Sequence, residues 1–166
     1  MKFSRKTKGF TLVEIIIAVV LAAMLMTALA VAFDASVKNY SANDSIFKSM
    51  NMSRQALQRM TTAIRTAGSI VLPGDEGTNQ CTIEDADGKS YTYEFRSADN
   101  TLYLIDNDNS KEYLLCGNVS NLNFTKTTGL VGELTLVKNV QISMSVTIGG
   151  QTKTLNAAAV VRRNMR

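Results

Sequence analysis

The chain has 166 residues, 45% of them apolar and 19% charged, which suffices for one domain. It contains no histidine and no tryptophan, which excludes histidine bases, Ser-His and Cys-His pairs and histidine metal sites. The net charge of +4 comes wholly from Lys2, Arg5, Lys6 and Lys8; the remainder carries 14 cations and 14 anions, so the body lacks the basic footprint of a nucleic-acid binder.

Behind that basic leader, Ile15 to Phe33 is a run of 19 residues without a charge. This is close to the roughly 20 residues that span a hydrocarbon core. With the cations in front and no comparable flank behind, the leader is expected on the cytoplasmic side and the remainder across the membrane. One reading of the run is a secretory signal peptide, cut near Ala28, Ala30 or Ala32, although its apolar part is long for that role. Another is a plain signal anchor. Neither has a use for Glu14, an acid in the first turn of an apolar segment, which costs roughly 2.5–3.5 kcal/mol on insertion scales.

The stretch KGFTLVEIIIAVVLAAMLMTALA, residues 8 to about 32, resembles the prepilin signal of type IV pilins and type II secretion pseudopilins. The resemblance implies removal of residues 1–9 by a prepilin peptidase that cuts between Gly9 and Phe10. It implies N-methylation of Phe10, giving a methylphenylalanine N-terminus, and pairing of Glu14 with the N-terminal amine of a neighbouring subunit. Gly9 suits an extended backbone entering a protease cleft. Many relatives carry a proline in the apolar segment; here the sole proline is Pro73.

Apolar residues Ile46, Met50, Leu57, Met60, Ile64 and Ala67 recur at helical spacing, with Ser53 filling one polar gap. No Gly or Pro interrupts Phe10 to Ala67, and Gly68 is the first stop signal. One helix is therefore expected from about Phe10 to Ala67. The methionines at 24, 26, 50, 52 and 60 suit flexible packing on helix faces. Strands are expected at Ser90–Arg96, Thr101–Ile105, Glu112–Cys116, Val119–Lys126, Glu133–Val137, Val140–Ile148 and Thr152–Val161, with Asp87-Gly88 and Gly149-Gly150 as turns. The fold class is α+β: one long N-terminal helix, half transmembrane and half amphipathic, packed on an antiparallel meander as in the pilin fold. The expected division is 1–9 leader, 10–33 transmembrane or filament-core helix, 34–68 amphipathic helix and 69–166 globular domain.

The segments RQALQRMTTAIRTAG, YTYEF, TLYLID, YLLCGNVSNLNF and AAVVRRN are similar, in order and type, to the J-type minor pseudopilins and related minor pilins. Cys81 and Cys116 fall in the exported part, where an oxidising compartment favours a disulfide between them; two buried free thiols are the alternative. Asp85, Asp87, Asp106 and Asp108 suggest a calcium loop, but DADGKS lacks the later ligands of an EF-hand and DNDNS is a natural turn. No metal and no cofactor is expected. The C-terminal cluster Arg162, Arg163 and Arg166 is too small for general nucleic-acid binding. No catalytic constellation is present, so no enzyme is expected.

The sequence therefore reads as a minor pilin or minor pseudopilin near a filament tip, acting in assembly initiation. Its expected partners are other pilins through helix packing, the prepilin peptidase, a membrane-embedded assembly platform and the bilayer before assembly. It is expected as a single-pass inner-membrane protein, N-terminus in the cytoplasm and globular domain outside the membrane. A membrane-anchored domain that never polymerises, or a DNA-uptake (competence) pilin, is the alternative.

Overall fold

A computed structural model describes residues 9–162. The leader cations Lys2, Arg5, Lys6 and Lys8, and Arg163 and Arg166, lie outside the described residues. Helix α1 runs Leu12–Thr66, and the chain divides into two compact units, Met1–Asn43 and Asp44–Arg166.

In the first unit every described side chain is exposed. An apolar helix with no protein around it has its apolar surface available to lipid, and α1 is long and apolar enough to cross a membrane. Hydroxyls along it bond back to the helix. The Thr27 hydroxyl donates to the Met24 carbonyl at 2.8 Å, and Ser36 to that of Ala32 at 3.0 Å. Such back-bonding lets hydroxyls sit in hydrocarbon at low cost.

In the second unit the rest of α1 buries one face, Ser53, Ala56, Met60 and Ile64, continued by Ala67. Ser53, the polar member of the stripe, is fully buried; its hydroxyl donates to the Ser49 carbonyl at 2.8 Å. Eight strands follow: β1 Ser69–Ile70, β2 Gln80–Glu84, β3 Ser90–Arg96, β4 Thr101–Asp106, β5 Lys111–Cys116, β6 Val119–Val131, β7 Leu134–Ile148 and β8 Gln151–Val160. All neighbours are antiparallel and consecutive, but they form two sheets, β1-β2-β3-β4-β5 and β6-β7-β8. The single expected meander is broken at Gly117-Asn118, where Asn118 adopts a left-handed φ of 59°. A short polar residue tolerates that conformation.

The core joins the helix to both sheets: Met60, Leu102, Leu122, Ile142 and Met144 are among its fully buried members. Beside it Lys126 pairs with Glu76, and their side chains are 4% and 5% exposed. The Lys126 ammonium also donates to the Val71 carbonyl at 2.9 Å, and the Glu76 carboxylate accepts the Thr82 amide at 3.0 and 3.1 Å. The same loop bonds both sheets, its Thr78 and Asn79 carbonyls accepting the amides of Phe124 and Phe95. The pair thus clasps the 71–80 loop, on the first sheet's side, to β6 of the second.

Candidate processing and assembly site

The helix begins abruptly, and Thr11 and Glu14 are the cause. The Thr11 amide and hydroxyl both donate to Glu14 Oε2, at 2.9 and 3.0 Å, and the Glu14 amide donates to Thr11 Oγ1 at 3.3 Å. This is a reciprocal capping box: it satisfies amides that a helix start leaves without partners. Because the box fixes the first helical residue at Leu12, Gly9 and Phe10 stay outside the helix and exposed. The peptide bond between them therefore lies in exposed, non-helical chain.

Nothing lies within 4 Å of where a Cβ on Gly9 would stand, and its φ is not in the left-handed region. The fold does not demand glycine there. A requirement for it must come from outside the chain. Beside Glu14 the helix carries a shallow apolar groove of about 420 Å³ lined by Phe10, Ile15, Ala18, Val19 and Ala22. Ala18 and Ala22 follow Glu14 at intervals of four, and small residues at that spacing let a second helix approach closely.

The other residues singled out from the sequence do not converge on a site. Cys81 and Cys116 are both free and buried. β3 and β4 lie between the strands that carry them, so about 14 Å separates the two across the sheet at the usual interstrand spacing. A disulfide needs Cα atoms within about 7 Å. The expected bridge is therefore replaced by two separate thiols. Burial pushes Cys81 up to about 12 and Cys116 up to about 11, the latter against a hydrogen bond with Ser53. Both thiols are expected to ignore maleimide in the folded protein and to react on unfolding; rapid labelling under native conditions would contradict this. The folded state holds these protons above the ordinary value of 9.0, so the unfolded state releases them first. Stability should fall as pH rises from about 9 towards 11, by about 1.4 kcal/mol per unit per thiol at most, measurable as a declining urea midpoint.

The acidic turns use their own carboxylates. Asp85 Oδ1 accepts the amides of Asp87 at 2.8 Å and Lys89 at 3.0 Å. Asp106 accepts the amides of Asp108 and Asn109, both at 3.2 Å, and the Asn109 side chain. The Asn109 side-chain bond, with the two amides, holds the Asp106 carboxyl below its usual range. Among the described residues no group of three or more Cys, Asp or Glu is placed to hold a metal ion.

Three residues of consequence had no assigned role from the sequence. Thr11 was legible, since Thr-x-x-Glu ahead of an apolar run is the signature of a capping box. The Glu76–Lys126 pair was not, because its partners lie 50 positions apart.

Comparison with protein families places these features. Residues 4–30 match the model of the prokaryotic N-terminal methylation motif, so the chain carries the signal of the type IV pilin and pseudopilin family. The long N-terminal helix packed on antiparallel sheets is an α+β arrangement consistent with the fold expected behind that signal. Comparison with curated proteins and with solved structures gives no match.

Proposed function

We propose that this protein is a minor pilin or minor pseudopilin. It is a structural and non-catalytic filament subunit that is cut between Gly9 and Phe10, N-methylated on Phe10 and held in the cytoplasmic membrane by the first half of α1 until it is assembled. The observation that carries this reading is the methylation motif over residues 4–30, joined to a helix that starts just after the cleavage position. In this reading Glu14 leaves its capping role to meet the amine of a neighbouring subunit, and Ala18 and Ala22 seat that neighbour's helix. The prepilin peptidase and a membrane assembly platform are the processing and extraction partners. The likeness of the domain segments to J-type minor subunits supports a place near the tip, in assembly initiation.

Mass spectrometry of the mature protein tests the core of this. The expected species is residues 10–166 with one added methyl on Phe10. A form beginning after Ala28, Ala30 or Ala32 would identify a secretory signal peptide and overturn the reading. Gly9→Leu should accumulate as precursor, and because the chain itself has room for the side chain, it should do so with an unaltered fold.

A further inference from the structure

One side of the globular unit is left open between the helix and the first sheet. The helix turns Ser53, Ala56, Met60 and Ile64 into the core. The row Gln55, Arg59, Thr62 and Thr66, at spacings of four, three and four, lies on a neighbouring face and borders a cavity of about 630 Å³ against β2, β3 and β4. Period-two alternation supplies its apolar floor, with Ile83 opposite Tyr91 and Tyr93 opposite Leu104 in register. A second cavity of about 240 Å³ shares Gln55 and Arg59 with the first and continues to Met52, Leu114 and Leu115. Together they form a groove along the helix from Met52 to Thr66, roughly 21 Å at about 1.5 Å per residue.

Several polar groups of this groove lack partners. Arg59 is exposed and forms no ion pair among the described residues. Its guanidinium donates to the hydroxyl of Tyr93, a residue buried in the floor, so the cation is held beside an apolar surface with most of its N–H donors open. The side-chain amides of Gln55 and Gln58 have no hydrogen-bond partner among the described residues. At the Thr66 end stands Asp85, whose Oδ1 is taken by the amides of Asp87 and Lys89. A guanidinium fixed beside an apolar floor is a fork for a carboxylate, and partial desolvation there strengthens the pair. A small free carboxylate would fill only a fraction of the groove's length.

We propose that this groove binds an extended polypeptide segment that places a central Asp or Glu carboxylate on Arg59 and apolar side chains to either side of it. A segment of about six to seven residues, at roughly 3.3 Å each, matches the groove's length. Arg59 lies where the two cavities join, so the acid falls at the middle. Apolar side chains then lie on Ile83, Tyr91 and Leu104 in one direction and on Met52 and Leu114 in the other. Gln55 and Gln58 can each donate to and accept from the segment's backbone, as extended peptides in grooves require. Asp85 sets the polarity: it repels a second acid at the Thr66 end and favours a basic residue there. The site lies wholly on the globular unit, so it goes beyond the filament reading and does not depend on it.

The test uses the full-length protein in detergent micelles and the fluorescence anisotropy of a capped, dye-labelled heptapeptide with one central glutamate between valines and isoleucines. The peptide should bind, and its affinity should fall about tenfold or more for Arg59→Gln and for the same peptide with glutamine at its centre. Arg59→Glu should reject the glutamate peptide and accept a lysine-centred one, an exchange that also reports an intact groove. Butyrate, as the free carboxylate, should not displace the peptide at equal concentration. No binding to the wild type, unchanged binding to Arg59→Gln, or no gain of the lysine peptide on Arg59→Glu overturns the proposal. Displacement by butyrate would make this a small-carboxylate site, and a dimer lost in Arg59→Gln would make a second copy the occupant; either result overturns it too.

Discussion

Glu14→Ala is expected to be cleaved and inserted like the wild type and to fail completely at joining a second subunit. In the proposed reading cleavage uses the leader, Gly9 and the apolar run, none of which involves a carboxylate at 14. A carboxylate in hydrocarbon is penalised unless it is paired or protonated, so the variant should sit in the membrane at least as easily. The capping box complicates a naive reading, because the substitution also removes the Thr11 bonds that start the helix. Losing a cap costs about 0.5–2 kcal/mol of helix stability. Thr11→Val separates the two effects: it removes the hydroxyl from the box and keeps the acid. Single cysteines along Val13–Leu29, crosslinked to a companion pilin, should link in the wild type and in Thr11→Val and should not link in Glu14→Ala. Equal crosslinking and full filament function in Glu14→Ala would remove the assembly role and favour an anchored domain that does not polymerise. Failure of both variants would reassign Glu14 to helix capping alone.

Lys126→Met is expected to be the most damaging single change in the globular domain. The substitution leaves the Glu76 carboxylate almost wholly buried without its cation and strips the Val71 carbonyl of its donor. Removing one partner of a buried pair costs about 3–5 kcal/mol, a large share of the 5–15 kcal/mol typical of a domain. Glu76→Gln should cost less, since the amide oxygen can still accept from Thr82. The double variant Glu76→Leu/Lys126→Met should recover much of the loss, because replacing both ions by apolar groups avoids stranding either one. Chemical denaturation of the three variants checks the order. A Lys126→Met protein as stable as the wild type would show that the pair does not clasp the sheets.

The long elements were legible in the sequence because they obey one period over many residues. α1 was expected from Phe10 to Ala67 and spans Leu12–Thr66, and Ser90–Arg96 was placed to the residue by its alternation and the turn before it. β1 and β2 were missed: one is two residues long, and the other, QCTIE, alternates over only five residues behind a loop containing Pro73, Gly74 and Gly77. The expected strands Glu133–Val137 and Val140–Ile148 are one strand, β7, kinked where the register shifts opposite Thr127 and Thr128. Sequence alone gave no means of seeing that Asn118 would divide the meander. The disulfide failed for a related reason: the compartment says nothing of which strands intervene, and two do. At the candidate site the apolar run and the Thr-x-x-Glu cap are both local, so each is written in the order of the residues.

The consecutive pairing of every strand has a kinetic meaning. Each hairpin in β2–β5 and in β6–β8 closes over a short loop, so most strand pairing is local and fast. The slow events are those that join distant residues: Met60 and Ile64 onto strands some forty to eighty positions later, and the 71–80 loop onto β6. A chain delivered from its N-terminal anchor outward would thus have its hairpins formed as they emerge, with the helix already in place as the surface on which they collapse. The last strand to arrive, β8, completes the second sheet, and until it does, the β7 edge beside it stays exposed to water and to other chains.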